Sequence, residues 1–131
     1  MIELKNVSFS YADSAVATLE NLSVTIPTGS FVAIVGDNGA GKSTFCKLLF
    51  GIIPTFIDGE LSGEIRVQGV KVREKKPAVL AKTVGYVYQD FENQLLRPKV
   101  LDDASFCFFI MGEEAYEELT MTILEALDLD H

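Results

Sequence analysis

The feature that most constrains the fold is the octapeptide Gly36–Ser43, whose letters read GDNGAGKS. It fits the pattern G-x-x-x-x-G-K-[ST], in which glycines let successive backbone N–H groups converge on one anion. The apolar run Phe31–Val35 precedes it, and residues that suit a helix follow it from Lys42 to Phe50. A chance match in a glycine-rich turn would lack these flanks. The sequence therefore predicts a strand, a phosphate-binding loop and a helix in succession, which is an α/β arrangement.

The rest of the chain predicts further strands before residue 90 and helices after residue 98. Apolar alternation predicts strands at Ile2–Phe9 and Leu22–Ile26, and Glu64–Gly69 is typical of a strand with a turn. Phe31–Val35 is apolar throughout, which favours a parallel strand covered on both faces, and Val84–Tyr88 predicts another strand. Few strands can follow residue 90, so the predicted parallel sheet is incomplete.

Each part of the octapeptide has a chemical task if the loop holds a nucleotide. The predicted helix directs the positive end of its dipole at the bound anion. The Lys42 ammonium is expected to reach the β- and γ-phosphates, and the Ser43 hydroxyl is expected to ligate Mg²⁺. The predicted cradle consists of Gly36, Asp37, Asn38, Gly39, Ala40, Gly41, Lys42 and Ser43.

Composition excludes several other classes of protein. Apolar residues make up 48% of the chain, and no apolar run approaches the roughly 20 residues that span a bilayer. The net charge of −8 argues against nucleic acid as a partner, because phosphate backbones demand clustered cations. Two cysteines, Cys46 and Cys107, are too few for a disulfide framework and fit a reducing compartment.

Beyond the octapeptide, the chain resembles the ATP-binding subunits of ABC transporters along its whole length. Thr44 extends the loop as in that family, and the approach to it reads LENLSVTIPTGSFVAIVGDNGAGKST. The segments GELSGEIRVQG and VYQDFENQLL are similar to the ATPases of energy-coupling-factor importers of vitamins and metals. The resemblance implies an α/β P-loop NTPase core of the ABC ATPase type in a single partial domain. Residues 1–98 would form an N-terminal antiparallel β subdomain and the P-loop core, and residues 99–131 the start of a helical subdomain.

The resemblance adds two residues to the candidate site. Tyr11 lies 25 residues before Gly36, where the family places an aromatic ring that stacks on adenine. Gln89 follows the predicted strand Val84–Tyr88, where the family keeps a glutamine that contacts Mg²⁺ and the attacking water. Each has a plainer alternative, because Tyr11 could close a hairpin and Gln89 could end a strand with one backbone hydrogen bond. Phe91 departs from the family, which often has proline there.

Other motifs of the family are predicted to be absent from this chain. Leu61–Glu64 imitates the start of the LSGGQ signature but falls at a predicted strand. The run from Phe108 to Glu113 imitates a Walker B strand, yet the family would place packed helical core there. The only histidine, His131, is the last residue and is predicted to be exposed to solvent. By resemblance the chain is the N-terminal half of a nucleotide-binding domain, with no catalytic residue of its own.

The resemblance implies a function for the complete protein. Two ATP-binding subunits, as a homo- or heterodimer, would bind ATP with Mg²⁺ and drive integral membrane transporter subunits from the cytoplasmic face. The imported solute would be small, such as a vitamin or a metal ion. Two alternatives stay open: a soluble ABC ATPase without a transporter, and a binding module that never hydrolyses nucleotide.

Overall fold

A computed structural model describes residues 1–130, so the predicted exposure of His131 lies outside the described residues. The chain separates into two compact units, Met1–Tyr86 and the residues from Val87 onward. The strands are β1 (Ile2–Tyr11), β2 (Leu19–Ile26), β3 (Gly59–Val67) and β4 (Val70–Lys71). The α-helices are α1 (Lys42–Leu49), α2 (Ile52–Thr55), α3 (Pro77–Leu80), α4 (Val100–Met111) and α5 (Tyr116–Ala126), and 3₁₀ turns cover Val72–Glu74 and Phe91–Gln94.

The first unit is built on an antiparallel sheet with the strand order β2-β1-β3-β4. β1 pairs with both β2 and β3, so that Leu4 lies opposite Val24 on one side and Ile65 on the other. β2 ends directly before Pro27, and a turn at Gln68 and Gly69 joins β3 to β4. These strands confirm the antiparallel subdomain that the apolar alternation and the resemblance predicted.

A bulge in β1 explains why its apolar residues do not alternate strictly. Asn6 has a φ of 50°, and the register of β1 against both neighbours shifts beside it. Because a bulge adds one residue to a strand, Leu4 and Val7 are both buried although they lie three positions apart. Gly63 of β3 has a φ of 83°, and a Cβ there would lie 2.4 Å from the Asn6 carbonyl oxygen. Glycine at this position therefore lets β3 pass close to the bulge.

Helix α1 packs on the sheet and thereby fixes the end of the loop that precedes it. The core of the first unit combines Phe45, Leu48 and Leu49 of α1 with Leu4, Val7 and Phe9 of β1 and Ile65 and Val67 of β3. Burying apolar side chains of this size contributes about 1.5–3 kcal/mol each. The helix begins at Lys42, as predicted, and Gly51 follows its end with a φ of 73°.

Two of the predicted strands are wrong. Neither Phe31–Val35 nor Val84–Tyr88 has strand structure, and the sheet in residues 1–130 pairs with neither segment. The Phe31 side chain is 100% exposed and Val35 is 88% exposed. A strand exists only through hydrogen bonds to a neighbouring strand, and a continuously apolar one also needs cover on both faces. Within the described residues no strand of the sheet pairs with either segment, and Phe31–Val35 also lacks cover on both faces.

The second unit contains the helices predicted after residue 98. The Phe109 ring of α4 packs edge-on against the Tyr116 ring of α5, with 5.5 Å between ring centroids. The run from Phe108 to Met111 is helical, as the resemblance implied. Its predicted place in a packed core is wrong, because Phe109 is 57% exposed and Ile110 is 66% exposed. Helical structure requires only local hydrogen bonds, whereas burial requires a covering surface.

Candidate functional site

The glycine-rich loop runs directly into α1. Gly36, Gly39 and Gly41 have φ values of 156°, 85° and 86°. The Ala40 N–H donates to the Asp37 carbonyl oxygen at 3.2 Å, which closes a tight turn inside the loop. Asp37, Asn38 and Ala40 are exposed. The predicted cradle therefore lies at the start of a helix, with Gly36 to Ala40 exposed and Gly41 buried.

The Lys42 side chain folds back over this loop. Its Nζ donates to the carbonyl oxygens of Gly36 and Asp37, each at 2.7 Å. Both acceptors are neutral, so these bonds orient the ammonium group without neutralising its charge. A phosphate oxygen offers the same group a stronger, charge-assisted hydrogen bond. The ammonium is thus held at the loop in a form that an anion can attract.

The other groups at this end of α1 also suit a nucleotide phosphate and its metal ion. The first N–H groups of an α-helix have no partner within the helix, and no side chain caps them in the described part of this chain. The first turn of α1 contains no acidic residue that would repel an anion. Ser43 is exposed there, and a hydroxyl is the kind of hard oxygen ligand that Mg²⁺ takes. The donors present therefore fit a Mg²⁺-bound phosphate chain.

Tyr11 and Thr44 are brought together although they lie 33 positions apart. The Tyr11 hydroxyl and Thr44 Oγ1 form a hydrogen bond of 2.8 Å. Thr44 is only 5% exposed, whereas Tyr11 is half-buried at the end of β1. The structure thus places Tyr11 next to the first turn of α1, in which Thr44 is buried. Sequence reasoning named both residues but gave no reason for them to touch.

Gln89 lies in the second unit, in an exposed bend before the 3₁₀ turn Phe91–Gln94. Nearby, the Gln94 side-chain oxygen accepts a hydrogen bond from the Tyr88 N–H at 2.8 Å. Phe91, which stands where the family often has proline, opens that turn and is 60% exposed. The roles of Gln89 and Ser43 as Mg²⁺ ligands stay predictions.

The segment Leu61–Glu64 lies inside β3, as expected of a chance likeness to the signature motif. Glu64 accepts a hydrogen bond from Arg66 Nε at 2.8 Å and lies 3.1 Å from Lys71 Nζ. The hydrogen bond from Arg66, followed by that from Lys71, lowers the pKa of Glu64 from 4.5 to about 2. Gly63 is required by the β1 bulge, and Glu64 links β3 to β4. Both residues therefore have structural explanations.

An apolar groove of about 290 Å³ lies beside the loop. Its walls include Leu22 and Val24 of β2, Ile34 of the segment before the loop, and Phe45 of α1. These four side chains are apolar and offer no hydrogen-bond donors for phosphate oxygens. The groove also reaches Ala40, Gly41 and Lys42, so it adjoins the phosphate cradle.

Two kinds of feature are absent from residues 1–130. None of their helices combines the length and the apolar character needed to cross a membrane. They also contain no group of three or more His, Cys, Asp or Glu side chains that could hold a metal ion.

Comparison with known proteins gives consistent matches. Residues 19–131 match the family model of the ABC transporter. A Pyrococcus abyssi protein named as an ABC transporter ATP-binding protein is 40% identical over 129 residues, which are 98% of this chain and 46% of the relative. An energy-coupling factor transporter ATP-binding protein of Mycoplasmopsis pulmonis is 38% identical over 107 residues, 81% of this chain and 38% of the relative. The chain thus spans less than half the length of these relatives.

The fold is also that of a solved ATP-binding cassette. The cassette MJ0796, solved as a dimer bound to ADP and Pi, superposes with a TM-score of 0.72 at 24% identity. The match covers 95% of this chain and 56% of the cassette. This likeness establishes the predicted fold class, with an antiparallel sheet, a loop–helix core and the start of a helical region.

Proposed function

This chain belongs to the ABC transporter family as part of an ATP-binding domain, and from that premise we propose that the loop Gly36–Ser43, together with Thr44, binds Mg-ATP. The observation that carries the proposal is the Lys42 ammonium, held by neutral carbonyl groups beside the uncapped start of α1. Titration of the chain with Mg-ATP by calorimetry tests it. Absence of binding by the folded chain would contradict it.

Each residue in the proposed site has one task. Lys42 provides a positive charge for the β- and γ-phosphates, and the loop N–H groups donate to the remaining phosphate oxygens. Ser43 would hold Mg²⁺. The bound metal ion would neutralise phosphate charge. Tyr11 would supply a flat aromatic surface for the adenine base.

For the complete protein, we propose that ATP hydrolysis powers import of a small solute such as a vitamin or a metal ion. The support is the similarity to relatives named as energy-coupling factor transporter ATP-binding proteins. Integral membrane subunits and a second ATP-binding subunit would be the partners, at the cytoplasmic face of the membrane. Co-purification of the full-length protein with an integral membrane protein tests this proposal, and its purification without one would contradict it.

We expect this chain to bind Mg-ATP without turning it over. By resemblance, residues 1–98 are the β subdomain and P-loop core and 99–131 begin the helical subdomain, so that the acids that hold Mg²⁺ and orient water lie in the other half. A bound phosphate without a positioned water does not react. Phosphate release should stay at the buffer rate at saturating Mg-ATP. Steady phosphate release that Lys42→Ala abolishes would contradict the expectation. Glu113 would then be a candidate for the catalytic acid.

Replacing Tyr11 with alanine should weaken ATP binding more than binding of inorganic triphosphate. The ring acts on the base alone, and loss of an aromatic–base contact costs about 1–3 kcal/mol. Calorimetry with both ligands on the wild-type and variant chains measures the difference. If the variant loses the same factor for both ligands, Tyr11 has only a structural role.

A further inference from the structure

The position of the Tyr11 ring is fixed from three sides. Its backbone ends β1 and pairs with Gly59 of β3. The ring packs edge-on against Phe9, with 4.9 Å between centroids and 78° between planes, and Phe9 itself is 0% exposed. The third contact is the hydrogen bond of 2.8 Å between the Tyr11 hydroxyl and Thr44 Oγ1.

Gly59 allows this arrangement. A Cβ on Gly59 would lie 2.3 Å from the Ser10 carbonyl oxygen and 2.6 Å from the Phe9 ring. Any side chain at that position would therefore displace the Phe9 ring, which packs against the Tyr11 ring. The sheet thus positions the ring, and the hydroxyl joins it to α1 through a hydrogen bond.

Thr44 links this hydroxyl to the phosphate loop. It lies in the first turn of α1, two positions after Lys42, and is nearly buried. Movement of the ring is therefore coupled to the turn that carries Lys42 and Ser43. Stacking alone would need only the ring, whereas this bond gives a function to the oxygen.

From these contacts, and resting on the proposed ATP site, we infer that the Tyr11 hydroxyl is a positioning group. Its bond to Thr44 holds the ring as a preformed base platform at a fixed distance from the phosphate loop. A surface that is already ordered loses less conformational entropy when the ligand binds. Tyr11 would therefore set the preference for a nucleotide over a bare triphosphate through its oxygen as well as through its ring.

The test compares four variants of the 131-residue chain by calorimetry with Mg-ATP and with inorganic triphosphate. Tyr11→Phe keeps the ring and removes the bond, and Thr44→Val removes the partner hydroxyl. Thr44→Ser keeps that hydroxyl and is the matched control. The fourth variant combines Tyr11→Phe with Thr44→Val. The ratio of the two affinities is compared, because changes in phosphate contacts by Thr44 then cancel.

Tyr11→Phe should lower the ratio of ATP to triphosphate affinity by about three- to tenfold, the range expected for loss of one hydrogen bond. Thr44→Val should lower the ratio equally, Thr44→Ser should preserve it, and the double variant should be no worse than either single variant. An unchanged ratio in a folded Tyr11→Phe chain would overturn the inference, as would equal losses for both ligands. If the wild-type chain binds triphosphate and ATP equally, the base platform of the proposed function fails instead. If Tyr11→Phe does not fold, the comparison of Thr44→Val with Thr44→Ser decides.

Discussion

Replacing Lys42 with alanine is expected to lower the affinity for Mg-ATP by about 30-fold to 1000-fold, or about 2–4 kcal/mol. The ammonium is a point charge that the loop already orients through the carbonyls of Gly36 and Asp37. Its hydrogen bonds to phosphate oxygens join two opposite charges, whereas the loop N–H groups are neutral donors to the same anion. Calorimetry at constant ionic strength measures the loss.

Lys47→Ala is the matched control for this variant. Lys47 lies in the last turn of the same helix, so its removal changes the net charge equally at the end remote from the loop. Circular dichroism should show that both variants fold, because Lys42 also contributes two hydrogen bonds to the loop. Equal affinities in the wild-type, Lys42→Ala and Lys47→Ala chains would contradict the proposed site.

Replacing Gly41 with alanine is expected to lower the free energy of unfolding by about 2–4 kcal/mol. Gly41 has a φ of 86°, which strains any residue with a Cβ. That Cβ would also lie 2.9 Å from Leu19 Cδ2 and 3.0 Å from the Thr18 carbonyl oxygen. The leucine methyl can move, but the carbonyl belongs to the backbone directly before β2. Urea unfolding followed by circular dichroism measures the loss.

Gly39→Ala separates strain from steric overlap. Gly39 has nearly the same φ, 85°, yet a Cβ there would meet nothing within 4 Å. Its replacement should cost only the conformational penalty, about 1 kcal/mol. Equal destabilisation by the two variants would mean that steric overlap with Thr18 and Leu19 does not contribute to the loss of stability in Gly41→Ala.

The sequence predicted the loop and α1 because their requirements are local. A phosphate cradle needs glycines at fixed positions and a helix start directly after them, and both can be seen in eight consecutive letters. The strands β1 and β2 and the part of β3 from Glu64 onward were predictable for a similar reason, since one buried face imposes alternation on neighbouring residues. The bulge at Asn6 could not be predicted in this way, because it depends on the close approach of Gly63 from another strand.

Strand pairing and burial are not local, and there sequence reasoning erred. Phe31–Val35 has the composition of a buried strand, but in the described sheet no strand pairs with it, and Phe31 is fully exposed. Phe109 and Ile110 are apolar enough for a core, yet both are exposed on a helix. The apolar side chains of a segment show that burial would stabilise it. Whether other elements of the fold bury those side chains cannot be seen in the segment itself.

The sequence by itself therefore determined the kind of site: the glycine pattern, the lysine and the hydroxyl at the start of a helix, which function through spacing along one short segment. Only the tertiary structure decided that the Tyr11 hydroxyl meets Thr44. That bond joins residues from a strand and a helix that are far apart in the chain, and it exists because α1 packs on the sheet beside the end of β1. No periodicity or motif encodes such a distance, because it is set by how the two elements bury their shared apolar surface.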